Sequence, residues 1–193
     1  MIARSILVLV CLLAGCASAP APAPDTNRQS SASGVSEKKM CEAIMCQHGV
    51  KIALKKKDGS MFEKTYDAMP VVQEHGVNVY AGQTVLFEAD VAGDNLINLK
   101  LVASITQPEK TISAKLEQTA DGSMMLALNN PFKRHLRIHM GIMPLDRDSL
   151  LKTSSCPVIA SGGSYEMWPY PVFQVWLGSP QLLKDGEDMS CIE

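Results

Sequence analysis

The sequence predicts an all-β domain, built as an antiparallel two-sheet sandwich of the immunoglobulin-like type. Apolar and polar residues alternate over eight short segments, which is the period of a strand with one buried face. Turn residues separate these segments at intervals of roughly ten residues, and no long amphipathic helical pattern lies between them. A small closed β-barrel is the architectural alternative, because its strands alternate in the same way.

The first predicted element is a β-hairpin. Residues 50–54 alternate between aliphatic and polar side chains, Asp58-Gly59 is a turn dipeptide, and residues 62–66 form the returning strand. A short helical turn over residues 37–45, with Ser36 as its N-cap, is expected before this hairpin.

The remaining predicted strands follow the same alternation. They bring the expected total to seven to nine and cover residues 85–91, 97–105, 112–116, 124–128, 136–142 and 172–177. Gly93-Asp94-Asn95 and Asp121-Gly122 mark two of the turns between them.

The first 15 residues have the layout of a secretory signal. Arg4 precedes an apolar run over residues 6–13, which is roughly half the length that a membrane-spanning helix needs. The run ends in Leu13-Ala14-Gly15-Cys16, which resembles the lipobox of bacterial lipoproteins. The resemblance implies that the signal is cut before Cys16 and that the thiol of this cysteine carries a lipid anchor.

The same resemblance implies a location in the cell envelope. Ala17 and Ser18 follow the cysteine in place of the aspartate that often retains lipoproteins of this family at the inner membrane. We therefore expect a chain anchored in the outer membrane with its domain facing the periplasm; the inner membrane and the cell surface are the alternatives.

Composition divides the rest of the chain into a linker and one domain. Residues 16–39 are rich in alanine, proline and serine and carry almost no large apolar side chain, so they are predicted to be a flexible spacer. Residues 40–193 then form a single β-domain. Loss of Arg4 with the signal changes the formal charge from −2 to about −3, which gives no reason to expect a nucleic-acid partner.

Four cysteines remain after the signal and the lipidated residue are set aside. An even number in an oxidising compartment predicts two disulfides, although the sequence allows three pairings of Cys41, Cys46, Cys156 and Cys191. The preferred pairing joins Cys41 to Cys46 and Cys156 to Cys191, because the second bond would fasten the C-terminal tail. A zinc site is the alternative, but the cysteine spacing suits it poorly.

A basic strip is predicted on one face of the strand at 136–142. Alternation places Lys133, His135, Arg137 and His139 opposite the apolar face, where they are expected to be solvated or to contact an anionic envelope protein or glycan. Two histidines in an exported protein also suggest copper, yet residues four apart on a strand lie about 13 Å apart. No metal ligand and no cofactor is therefore assigned.

An aromatic segment follows at residues 165–176, which hold five of the ten aromatic residues. Trp168, Tyr170 and Trp176 either close the core or form a recognition surface. Two acidic loops, 146–148 and 185–188, lack the spacing of a calcium loop and are expected to be solvated.

No catalytic motif occurs in the sequence. Nucleophile-elbow, zinc-protease, phosphate-loop and dinucleotide patterns are absent, so we expect a protein that is not an enzyme. The leading hypothesis is a membrane-anchored binding or structural module. Its alternatives are an inhibitor or accessory factor of secretion and assembly, and a periplasmic copper carrier.

Overall fold

The computed structural model describes Cys41 and residues 44–192, and this part of the chain is all-β. Its eleven strands are β1 (Met45–Lys55), β2 (Met61–Gln73), β3 (Gly76–Tyr80), β4 (Thr84–Ala92), β5 (Asn95–Val102), β6 (Thr111–Gln118), β7 (Met124–Asn129), β8 (Leu136–Pro144), β9 (Leu151–Thr153), β10 (Gly163–Trp168) and β11 (Val172–Leu182). All pairings between them are antiparallel.

All eleven strands belong to one hydrogen-bonded sheet, in which two sets of strands are joined through β11. The first set runs β1-β2-β3-β11-β8-β9, and the second runs β5-β4-β6-β7-β10. Strand β11 joins them, because it pairs with β3 and β8 along most of its length and with β5 at Gln181, which lies opposite Asn95. The two sets therefore meet at one corner, near the end of β11.

The strands do not close into a barrel, so the barrel alternative is wrong. Strands β1 and β10 end the path, and no pairing joins them within residues 44–192. The edge of β1 is covered by side chains: Gln118 exchanges two hydrogen bonds with the backbone of Lys55, at 2.8 and 2.9 Å, and Gln83 donates to the carbonyl of Lys51. These amides satisfy three of the backbone groups on the edge of β1 that a neighbouring strand would otherwise pair with.

The strand count is higher than predicted, because β3, β9 and β10 were missed. All five residues of β3 are buried and so show no alternation, and β9 has only three residues. The eight predicted strands are all present. The predicted helical turn at 37–45 falls mostly outside the described residues, and its last residue, Met45, already belongs to β1.

The predicted turns are confirmed by the backbone. Gly59, Gly93 and Gly122 all have positive φ, at 84°, 65° and 90°, which only glycine adopts without strain. Each follows an aspartate or precedes one in the sequence, and each connects two antiparallel strands.

One hydrophobic core contains side chains from both sets of strands. Its largest fully buried members include Ile52 and Leu54 of β1, Phe87 of β4, Leu116 of β6 and Leu126 of β7. Burying one such side chain stabilises the fold by about 1.5–3 kcal/mol.

Three buried polar side chains connect β11, β3 and the carbonyl of Pro70 in β2. Gln174 donates to the Oδ1 atom of Asn78, while Asn78 and Tyr80 both donate to the carbonyl of Pro70 at 2.9 and 2.8 Å. Burial raises the pKa of the Tyr80 hydroxyl, which therefore stays protonated as a donor. These bonds fix the register of β3 between β2 and β11.

Two disulfides link Cys41 to Cys46 and Cys156 to Cys191, which confirms the preferred pairing. The second bond holds the C-terminal segment, and a bridge between Ser155 and Ile192 continues the attachment.

Asn130 connects β7 to the segment before β10. It is 1% exposed; its Nδ2 atom donates to the carbonyls of Arg134, Val158 and Ile159, and its Oδ1 atom accepts from the amide of Phe132. One side chain therefore bonds to four backbone groups, with its two N–H hydrogens shared among the three carbonyls.

We predict that Asn130→Ala lowers the free energy of unfolding by about 2–3 kcal/mol, because it leaves buried backbone groups without partners. Urea unfolding followed by circular dichroism measures the change. Asn129→Ala is the control: this neighbour is exposed, so its replacement should change stability by less than about 0.5 kcal/mol. Equal effects of the two substitutions would contradict the prediction.

Candidate functional site

A cleft beside Tyr170 has a volume of about 600 Å³. A second hollow of about 480 Å³ is also lined by this tyrosine. Both share residues 56–58, Tyr170 and Pro171 as lining residues. We call the two hollows together the Tyr170 cleft.

Four loops at one end of the strands form this cleft. They are the β1–β2 turn, the β6–β7 turn, the β8–β9 loop and the β10–β11 connection. The β8–β9 loop is held to the β10–β11 connection by a hydrogen bond from the amide of Leu145 to the carbonyl of Pro171, at 3.0 Å. The β1–β2 turn is closed by the amide of Lys56, which donates to the carbonyl of Ser60 at 2.8 Å.

Four cationic side chains line the cleft. Lys55, Lys56 and Lys57 stand at the tip of the β1–β2 hairpin, and Arg147 lies in the β8–β9 loop; all four are exposed. Within the described part of the chain, none of them forms an ion pair with a carboxylate. The Lys57 ammonium lies 5.4 Å from the centre of the Tyr170 ring, within reach of a cation–π interaction.

Three carboxylates also line the cleft, and two of them are engaged within their own turns. Hydrogen bonds from the side chain and the amide of Ser60 lower the pKa of Asp58. The hydroxyl of Thr119, followed by the amide and hydroxyl of Ser123, lowers the pKa of Asp121 in the same way. Asp146 is the third. The two turn carboxylates are thus hydrogen-bonded within their own loops, and the nearby charge of Lys56 also lowers the pKa of Asp58 by a smaller amount.

The floor of the cleft is apolar. Pro144, Leu145, Leu151 and Pro171 line it beside the half-buried Tyr170 ring. The lining residues include no serine, cysteine or histidine that would act as a nucleophile or a general base. The arrangement therefore combines an aromatic and proline surface with positive charge that has no ion-pair partner in residues 44–192, which suits binding of an anion.

A smaller pocket of about 250 Å³ adjoins the cleft at Leu151, which lines both. It lies between Trp176 and His139 on one side and Ile192 of the C-terminal segment on the other. The Trp176 ring covers the glycine pair formed by Gly76 and Gly178 across β3 and β11. The lining of this smaller pocket is mostly apolar.

The four residues of the predicted basic strip lie in two different environments. Lys133 and His139 are exposed, but Arg137 pairs with Glu187 at 3.1 Å and donates to the carbonyl of Asp188. His135 accepts a hydrogen bond at its Nδ1 atom from the amide of Ala160, at 3.1 Å. Two of the four residues therefore hold neighbouring loops in place.

The three aromatic residues singled out in the segment 165–176 also lie in different places. Trp168 is 6% exposed and donates from its indole nitrogen to the hydroxyl of Thr153, so it belongs to the core. Tyr170 lines the cleft, and Trp176 lines the smaller pocket. The three aromatic residues thus take three different positions.

Sequence reasoning missed the cations of the cleft. Residues 55–57 lie between the predicted strand at 50–54 and the turn at Asp58-Gly59, and Arg147 lies in a loop that was expected to be solvated. A run of three lysines directly before a turn dipeptide was the available signal, because it places three charges at the tip of one hairpin.

Neither a metal-binding cluster nor a membrane-spanning helix occurs among the described residues. Among residues 44–192, no group of three or more histidine, cysteine, aspartate or glutamate side chains is placed to hold a metal ion. In that same part of the chain, no helix has the length and apolar composition to cross a bilayer.

Comparison with known proteins gives no match: no protein-family model, no characterised protein and no experimentally determined structure is significantly similar to the chain. Its function is therefore inferred from its own residues.

We predict that Gly178→Ala lowers the free energy of unfolding by about 1–3 kcal/mol, because a methyl group there would lie 2.6 Å from the indole nitrogen of Trp176. Urea unfolding followed by indole fluorescence measures the loss. Gly141→Ala on the adjacent strand is the control, since its methyl group would meet the nearest atom, the carbonyl oxygen of Leu151, at 3.5 Å. If both variants unfold at the same urea concentration, Trp176 does not lie over Gly178.

Proposed function

We propose that the protein is a lipid-anchored binding module of the bacterial envelope, and that its Tyr170 cleft binds an anionic glycan without catalysing a reaction. One observation carries the proposal: four cations that have no ion-pair partner among the described residues line two adjoining hollows that share the Tyr170 ring. The concave shape favours a glycan or peptide chain over a flat protein surface, since ligand pockets typically enclose about 300–1,000 Å³.

The chemistry of the cleft matches a sugar that carries carboxylate groups. The ammonium groups of Lys56 and Lys57 and the guanidinium of Arg147 would bind carboxylates through charge-assisted hydrogen bonds. The Tyr170 ring and the neighbouring Pro171 would pack against the apolar face of a sugar ring, while the tyrosine hydroxyl supplies a polar contact. Attraction by exposed charges weakens with salt, so this binding should also weaken with salt.

The proposed location follows from the N-terminal sequence and the disulfides. Cys16 lies outside the described residues, and its lipid anchor rests on the resemblance of Leu13-Ala14-Gly15-Cys16 to a lipobox. The two disulfides support an oxidising compartment such as the periplasm. We propose the outer membrane as the site of anchoring, with the domain on its periplasmic side.

We also propose that the two sets of strands form the two layers of a sandwich. Ile52 and Val79 of the first set and Leu116 and Leu126 of the second belong to one hydrophobic core, which is what two sheets facing each other would produce. The immunoglobulin-like connection of the strands stays a prediction.

We predict that the protein binds a carboxylated peptidoglycan fragment, a muropeptide, and that Lys57→Glu combined with Arg147→Glu weakens this binding at least tenfold, or about 1.4 kcal/mol. Reversed charges would repel the carboxylates that the two cations attract. Titration calorimetry at low and high salt measures the affinity. A neutral chitin oligosaccharide should bind much more weakly than the muropeptide.

Lys133→Glu is the matched control for this experiment. Lys133 is also exposed but lies outside the residues that line the cleft, so its replacement should change the affinity less than twofold. If Lys133→Glu weakens binding as much as the cleft variant does, the site is elsewhere. If neither glycan binds, the proposed ligand is wrong.

We predict that Cys16→Ser abolishes incorporation of radiolabelled palmitate in a bacterial host and moves the protein out of the membrane fraction. The reason is that the thiol is the proposed point of lipid attachment. Cys11→Ser is the control, because it lies in the apolar run of the same signal and should leave labelling unchanged. Labelling that survives Cys16→Ser would contradict the lipid anchor.

A further inference from the structure

Strand β10 is an edge strand whose outer side has no partner in the described chain. It pairs with β7 along residues 163–168 and ends the path of strands. Among the described residues, no hydrogen bond to its backbone comes from outside that ladder. The other end of the path differs, since the side chains of Gln83 and Gln118 cover β1. An uncovered strand edge is a template for pairing with another strand.

The alternation of β10 is reversed relative to that of an ordinary half-buried strand. Tyr165 and Met167 point outward and are 71% and 61% exposed, the two highest values among the large apolar residues of the described part, whereas Ser164 and Glu166 are half-buried. On β7, Ala127 and Met125 lie opposite Tyr165 and Met167, and both are partly exposed.

These four side chains form a continuous apolar patch on one face, which we call the β10 patch. It is bounded on the far side by an ion pair between Lys115 and Glu117 of β6. The patch reaches the uncovered edge of β10, so a strand added there would extend it. Exposed apolar patches of this kind mark interaction sites.

The backbone of β10 determines which residues face the free edge. The amide of Asn130 donates to the carbonyl of Gly162 at 2.7 Å, and the same register continues through Gly163 opposite Asn129. Hydrogen-bonded pairs recur at every second residue of an antiparallel ladder. Even-numbered residues of β10 therefore bond to β7, and Gly163, Tyr165 and Met167 direct their amides and carbonyls to the free edge.

We propose that a second copy of the chain pairs with this edge, so that two β10 strands run antiparallel about a two-fold axis at Tyr165. This register places Tyr165 opposite its copy and Gly163 opposite Met167 of the partner subunit. All three pairs then consist of residues that face the edge, which gives six backbone hydrogen bonds. Gly163 has no side chain, so the methionine opposite it has room to pack.

Charge selects this register over the neighbouring one. With the axis at Tyr165, Glu166 lies opposite Ser164 of the partner subunit, so no like charges face each other, and each Glu166 carboxylate keeps the hydrogen bond that it accepts from the amide of Cys156 at 3.2 Å. With the axis at Glu166, two carboxylates would face each other, which is destabilising. That register would also place Pro169, which has no amide hydrogen, opposite Gly163. Both effects favour the axis at Tyr165.

The test is cysteine crosslinking of the full chain, purified in mild detergent and oxidised with copper phenanthroline. Tyr165→Cys should give a covalent dimer on a non-reducing gel, because paired residues at the axis lie about 5.5 Å apart between their Cα atoms, a distance that a disulfide spans. Met167→Cys is the control: it has similar exposure on the same strand, yet the two copies would lie about 13 Å apart and should crosslink at least fivefold less.

Sedimentation equilibrium of the unmodified chain is the second measurement. We expect twice the monomer mass, and Tyr165→Lys should raise the dimer dissociation constant at least tenfold through loss of apolar contact and repulsion at the axis. This variant should stay folded, because the side chain is exposed. A chain that remains monomeric, or a Met167→Cys variant that crosslinks as well as Tyr165→Cys, overturns the proposal. A monomer that instead accepts an extended peptide at β10 also overturns it, since the occupant is then another protein.

Discussion

The fold depends on the pairing of β11 with three other strands. Its first half lies between β3 and β8, and after an irregularity at residues 178–181 its end reaches β5 as well. Arg134 secures that corner: its guanidinium donates to the carbonyls of Leu182 and Leu183 and pairs with Asp94 at 2.6 Å. The ion pair lowers the pKa of Asp94, which keeps the carboxylate charged near neutral pH. Because the contact between the two sets of strands at this corner involves few backbone bonds, one arginine supplies much of its polar bonding.

The same strand positions the candidate site. Residues 169–171, which lead from β10 into β11, carry Tyr170 to the end of the molecule where the β1–β2 and β8–β9 loops also project. The amide of Leu145 is hydrogen-bonded to Pro171, so the two walls of the cleft are linked by backbone rather than by mobile side chains. A rigid frame of this kind lets long cationic side chains adapt to a ligand while the floor keeps its shape.

The sequence predicted the strands correctly wherever one face of a strand is buried and the other is exposed to solvent. The predicted strand at 136–142 corresponds to β8, and the predicted turn at Asp58-Gly59 lies between β1 and β2. It failed in β3, where burial is uniform and no alternation results. In β10 the residues do alternate, but the apolar ones are exposed, so the pattern did not mark a buried face. The site was harder to predict for a different reason. Lys57 and Arg147 are about 90 residues apart, and only the return of the chain through β8 brings their loops together.

The proposed dimer axis in β10 lies close to the proposed binding site, and this fixes how the two sites of a dimer are arranged. Tyr170 follows the two-fold axis at Tyr165 by five residues, and the two β10 strands run in opposite directions. At about 3.3 Å per residue, each cleft would lie roughly 17 Å from the axis along its own strand, so the two clefts would be on opposite sides of the dimer and about 30 Å apart. Two sites this far apart cannot both bind neighbouring sugars of one short ligand. They suit two separate glycan chains, or distant points on one chain, and binding at the second site would gain from the effective concentration that the first provides.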